Sequence, residues 1–66
     1  MNEEKLNQSV RKFLKQVGVT SQREIELAVR SASEDGTLPD GGLEVKVVLQ
    51  CPDLGLEHEV KGQLEV

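Results

Sequence analysis

Two side chains in this 66-residue sequence could do covalent chemistry together: the thiol of Cys51 and the imidazole of His58, the single Cys and the single His of the chain. A thiol nucleophile needs a base within hydrogen-bond reach, a group that orients the base, and donors for an oxyanion. By strand alternation both residues fall on one face of a predicted hairpin, Cys51 opposite Leu56 and His58 opposite Leu49. They are diagonal neighbours at best, and neither an orienting group nor an oxyanion donor can be named. A small packed cysteine and a packed histidine are the better reading. A structural zinc site asks for four such ligands. Asp35, Gly36, Asp40 and Gly41 have the composition of a calcium loop without its alternating acidic ligands and closing Glu. Gly41-Gly42 lacks the Lys-Ser/Thr of a phosphate loop. The expectation is a chain that is not an enzyme, with no catalytic residue, no metal and no cofactor.

The stretch "VGVTSQREIE", residues 17–26, has the form of a helix-turn-helix corner, and a following hairpin gives the order of a winged helix. A recognition helix must offer Arg, Lys, Asn or Gln to the bases from its first turns. Here Gln22 and Arg23 are followed by Glu24 and Glu26, whose carboxylates would meet phosphates, and a third helix is missing. A packing corner is favoured, with a winged-helix-like DNA-binding protein as the alternative.

The elements that must position these residues follow from periodicity. Leu6, Val10, Phe13, Leu14 and Val17 share an arc roughly 100° wide at helical spacing, which predicts a helix over about residues 3–17. Gly18 stands where a left-handed residue would end it, with Val19 as the hydrophobic contact of a Schellman motif. Ser21 and Glu24 form a capping box, predicting a second helix over about 21–34, with Ile25, Ala28, Val29 and Ala32 on one face and Leu27 pointing away as a candidate partner contact. Residues 35–42 are rich in Gly, Pro, Asp and Ser and read as a loop. "LEVKVVLQC" and "LEHEVKGQLEV" alternate with period two, predicting strands over 43–51 and 56–66. A four-residue turn "PDLG" keeps apolar opposite apolar, Leu49 facing His58, Val47 facing Val60 and Leu43 facing Leu64. Pro52 suits its first corner and Gly55 a left-handed closing position. Lys46 then lies opposite Lys61, with Glu44 and Glu59 on the diagonals to screen the pair.

The fold class expected is α+β: a two-helix hairpin packed on one face of a two-stranded antiparallel sheet, order ααββ, as a single domain over residues 1–66. An isolated hairpin is unstable in water, so the helices are expected to shield Val45, Val47, Leu49, Val60 and Leu64. They would form a core with Leu6, Val10, Phe13, Leu14, Val17, Ile25, Ala28, Val29 and Ala32.

Size makes that core hard to complete. A chain of this length buries only about 60% of the surface it exposes unfolded, and small domains usually add disulfides, a metal or a second subunit. One Phe, no Tyr, no Trp and one Cys leave self-association or another protein, reached through an open sheet edge. The net charge of −4 argues against general nucleic-acid binding. It is unevenly spread, because Lys5, Arg11, Lys12 and Lys15 outweigh Glu3 and Glu4 by +2 over residues 1–20. Residues 21–34 sum to −1 and residues 35–66 to −5. The basic stripe of Lys5, Arg11, Lys12 and Lys15 opposes the apolar arc; it is a solvated face or a contact for an acidic protein, which includes the acidic sheet of another copy. No run is apolar enough to span a membrane, the polar start does not read as a secretory signal, and a lone Cys fits a reducing compartment. A cytoplasmic location is expected.

With "VRKFLKQVGVTSQREIELAVR", a Gly-containing loop and the "LEVKVVL…LEHEVKGQLEV" hairpin, the chain resembles a family of short bacterial proteins of unknown function, with an N-terminal helical pair and a C-terminal hairpin. The resemblance runs along nearly the whole chain and is strongest around "FLKQVGVTSQREIE". It implies a free-standing bacterial protein and carries no activity, cofactor or site residue. The expected role is a small non-enzymatic protein-interaction module.

Overall fold

The computed structural model describes every residue from Met1 to Val66. Helix α1 spans Glu3–Asp35, strand β1 Leu43–Cys51 and strand β2 Leu56–Leu64, with one 3-10 turn at Pro52–Leu54 between the strands. The start of α1 is capped by Asn2, whose side-chain oxygen accepts from the Lys5 N–H at 3.1 Å. Glu3 and Glu4 add negative charge to the first turn, where the helix dipole favours it. The helix ends on Gly36, at φ 72°. Its N–H donates to the Ser33 carbonyl at 3.3 Å and the Thr37 N–H to the Ala32 carbonyl at 2.9 Å, the bond pair of a Schellman ending.

The two-helix hairpin expected from the sequence does not form: residues 3–35 make one continuous helix of 33 residues. Gly18 has no positive φ, so it does not stop the helix. Neither Ser21 nor Glu24 makes a side-chain hydrogen bond, while Thr20 Oγ1 donates to the Gln16 carbonyl at 2.8 Å and the Gln22 side-chain amide to Glu26 Oε1 at 2.9 Å, both along the helix. A cap satisfies one or two of the orphan groups at a helix start. An uninterrupted helix satisfies all of them within itself, against about 1 kcal/mol for an interior glycine. The apolar phase also carries through, since the predicted arcs of residues 6–17 and 25–32 differ in direction by only about 60° on a common helical wheel. Without the corner there is no recognition helix, and the winged-helix order is lost with it.

The hairpin has the expected register. Leu43 pairs with Leu64, Val47 with Val60, Leu49 with His58 and Cys51 with Leu56. The turn closes through the Gly55 N–H on the Pro52 carbonyl at 3.1 Å, with Gly55 left-handed at φ 61°. Strand β2 stops at Leu64, two residues short of the expected Val66.

The expected core does not close. No residue is fully buried. Val17, Ser21, Ile25, Val29 and Ala32 of α1 are half-buried, as are Leu43, Val45, Leu49, Cys51 and Leu64 of the hairpin. The helical set is one i, i+4 row continued by Ala32, so the hairpin lies on the C-terminal half of the helix. Leu6, Val10, Phe13, Leu14 and Ala28 are exposed, as are Val47 and Val60. The physical reason is the straightness of α1: its first half runs past the hairpin and cannot fold back over it. The chain measures 51 × 20 × 17 Å with a radius of gyration of 15.8 Å, against about 11 Å for a compact domain of this length. Its order is local, since 40 of its 44 backbone–backbone hydrogen bonds lie inside the helix and the strands.

Candidate functional site

The pair that could have done chemistry is not joined by a hydrogen bond. Cys51 is half-buried and His58 exposed, and no hydrogen bond orients either side chain. Their register places Cys51 opposite Leu56 and His58 opposite Leu49, diagonal neighbours on one face of the hairpin. No group of three or more His, Cys, Asp or Glu side chains converges, so Asp35 and Asp40 hold no common centre.

Lys5, Arg11, Lys12 and Lys15 are all exposed on the first half of α1. None of them makes an ion pair; the one salt bridge of the chain joins Lys46 and Glu59 at 3.4 Å. Leu27 is 52% exposed and stands apart from the row that meets the hairpin. These five residues, singled out from sequence as partner contacts, therefore do not form one surface: the four cations line one side of the N-terminal half and Leu27 lies farther along.

The largest coherent feature is one that the sequence reading assigned to the interior. Leu6, Val10, Phe13 and Leu14 form an apolar stripe along the exposed half of α1, and Val47, Leu56 and Val60 form an apolar patch on the hairpin; all seven are between 44% and 55% exposed. Helical spacing puts the first four on one side, and strand alternation with the observed register puts the other three on one face. Two shallow clefts mark where helix and hairpin meet. One runs between Thr20, Ser21 and Ile25 and Val45–Val47, the other between Ile25 and Val29 and Leu64 and Val66, with Glu26, Arg30 and Glu65 around it. Ser21 sits in the middle of this contact, where a small side chain lets backbone and sheet approach. The clefts are open and hold no converging polar set, so they offer no small-molecule site of the kind that buries most of its ligand.

The accessible surface is 6130 Å². A folded monomer of 7.3 kDa has about 4,200 Å² by the scaling of surface with mass. The excess, roughly 2,000 Å² by the same scaling, reflects the extended shape of the chain, in which the apolar faces stay uncovered. Aliphatic periodicity identifies these faces but carries no information on whether the chain covers them itself.

The geometry thus defines a small α+β protein: a long amphipathic helix and an antiparallel hairpin, with an uncovered apolar surface. The chain matches the family of unknown function DUF6494 over residues 1–66 and belongs to that family. No curated protein and no solved structure matches it. No helix is long and apolar enough to cross a membrane.

Proposed function

We propose that this chain is a non-enzymatic protein-interaction module whose working surface is the apolar stripe Leu6, Val10, Phe13 and Leu14 together with the hairpin patch around Val47 and Val60. The observation that carries the reading is the absence of a single fully buried residue in a chain with two well-formed amphipathic elements. Exposed apolar patches mark protein–protein contacts, and an amphipathic helix offering i, i+4 and i+7 anchors is a recurring means of recognition. The two open edges of the β1–β2 sheet offer a second contact through backbone pairing. The basic side chains Lys5, Arg11, Lys12 and Lys15, on the side of the helix opposite the stripe, offer a separate contact for an acidic protein surface. A cytoplasmic, bacterial setting accords with the single Cys and the acidic composition.

The test is cross-linking in living cells with a photoreactive amino acid in place of Leu14, compared with the same group in place of Lys12 on the opposite side of the helix. Protein adducts at Leu14, weaker or missing at Lys12, are the expected result. A chain that forms no protein adduct from Leu14 is not an interaction module through this face.

A further inference from the structure

We infer that the occupant of the apolar face is a second copy of this chain, bound antiparallel, so that the N-terminal half of each α1 lies against the C-terminal half of the partner helix and over the Val47–Val60 patch of the partner hairpin. The inference rests on the interaction reading above and names the partner.

Three observations converge on it. The first is that the chain carries two apolar surfaces of matching kind that it cannot bring together. The half of α1 before Val17 is exposed along its whole length, about 20 Å of helix. The hairpin rests on the half beginning at Val17 and leaves Val47 and Val60 at 47% and 55% exposure. A straight helix cannot lay its own first half on that patch, but a second copy related by a two-fold axis can, and the same operation covers both patches on both chains at once. A contact of this isologous kind closes on itself, whereas a parallel pairing of the two stripes would leave Val47 and Val60 in water.

The second is the area. Standard interfaces bury about 800 Å² per partner, and obligate homodimers about 2,000–5,000 Å² in total. The excess of roughly 2,000 Å² per chain over a compact monomer therefore corresponds to about what an obligate dimer covers. A chain without an intrachain disulfide partner for Cys51 gains a closed core by association, and a second copy supplies it.

The third is charge. Residues 1–20 sum to +2 and residues 21–66 to −6, the latter combining −1 over 21–34 and −5 over 35–66. Antiparallel pairing sets the net-positive segment of each copy alongside the net-negative segment of the other, a complementarity between segments and not between contacting side chains, since Lys5, Arg11, Lys12 and Lys15 lie on the side away from the stripe. Parallel pairing sets like against like, and like-charge juxtaposition disfavours wrong arrangements at interfaces.

Sedimentation equilibrium on the unmodified chain over about a hundredfold concentration range reads the stoichiometry, and a melting temperature that rises with concentration reports the same linkage. The expected mass is twice 7.3 kDa. Phe13→Glu is expected to shift the population to monomer and Phe13→Leu to keep the dimer. Should Phe13→Glu also lose its helical signal, the concentration dependence of the unmodified chain still decides. Orientation is read by spin labels on Gln8→Cys in a Cys51→Ser background. Antiparallel helices place the two labels on the order of 30 Å apart along the axis, and parallel ones about 10–20 Å apart. A folded monomer at every concentration overturns the second copy, and a short label distance overturns the antiparallel arrangement. If the Leu14 cross-link captures a different protein while the chain sediments as a monomer, the dimer fails and the interaction reading stands. If Leu14 captures nothing, both fail.

Discussion

Val47 stands directly opposite Val60 in the hairpin register, and the two keep 47% and 55% of their surface exposed on the face that strand alternation turns toward the helix. A half-exposed valine on an isolated chain contributes little, and surface substitutions of that kind usually stay within about 0.5 kcal/mol. Covered by a second chain, the same side chain is a core residue. Val60→Ala is then expected to lower stability by about 1–2 kcal/mol per protomer, and Val60→Lys by more. The measurement is urea unfolding at low and high protein concentration. A loss that grows at the concentration where the chain associates places Val60 in the interface; an effect below about 0.5 kcal/mol at every concentration places it in water.

Two glycines give the same substitution opposite signs. Gly18 lies inside α1 without a positive φ, and a Cβ added there meets nothing within 4 Å. Gly18→Ala is therefore expected to stabilise the helix by about 0.5–1 kcal/mol, through the backbone freedom that glycine loses on folding. Gly36 ends the helix at φ 72°, where an L side chain is strained by about 1–2 kcal/mol, so Gly36→Ala is expected to destabilise by about that amount. Circular dichroism melts of the two variants decide the point. A helix broken at Gly18 in a left-handed conformation would reverse the first result.

The reading of Gly18 also shows which parts of the fold were legible in the sequence. The hairpin was legible to the residue pair, because a four-residue turn, unlike a three-residue one, keeps Leu43, Val47 and Leu49 on the face of Leu64, Val60 and His58, and Pro52 and Gly55 suit that turn. The helix boundary was not, because Gly18, Ser21 and Glu24 form a good local stop and start signal whose worth, about 1 kcal/mol, is smaller than the continuity it would interrupt. A signal against the corner was present in Val17, Ser21 and Ile25, which continue one i, i+4 row across it. The same Schellman chemistry expected at Gly18 is found at Gly36, where the apolar phase does end. The candidate surface was legible only in its residues. Leu6, Val10, Phe13 and Leu14 are recognisable as a buried-type stripe from spacing, but whether such a stripe meets its own chain depends on where the helix stops.

Asn2 is the side-chain cap at the start of α1, accepting from the Lys5 N–H at 3.1 Å. Replacing it with Ala is expected to cost about 1 kcal/mol and to fray the turn that begins the exposed stripe. If that stripe is an interface, Asn2→Ala also weakens association, because the ordering of the first turns must then be supplied on binding. Sedimentation and helical ellipticity measured on the same samples separate the two effects: a fall in ellipticity with no change in mass confines Asn2 to the helix alone.

Lys46 faces Lys61 across the strands, and the Nζ of Lys46 lies 3.4 Å from a carboxylate oxygen of Glu59 on the diagonal. The like-charge pair is thus screened within the polar face of the hairpin, as the alternation of the strands predicts. The side chains of Lys46 and Glu59 are 64% and 42% exposed, so the attraction is diluted by solvent, and a double-mutant cycle on Lys46→Ala and Glu59→Ala is expected to return a coupling of about 0.2–1 kcal/mol. Glu59→Gln removes the screening charge but keeps the shape, leaving Lys46 against Lys61 with Glu44 as the remaining neighbour. Its destabilisation is expected to shrink as salt is raised, because the Debye length falls from about 10 Å at 0.1 M to about 3 Å at 1 M. A loss that is independent of salt would mean that Glu59 acts through packing and not through its charge.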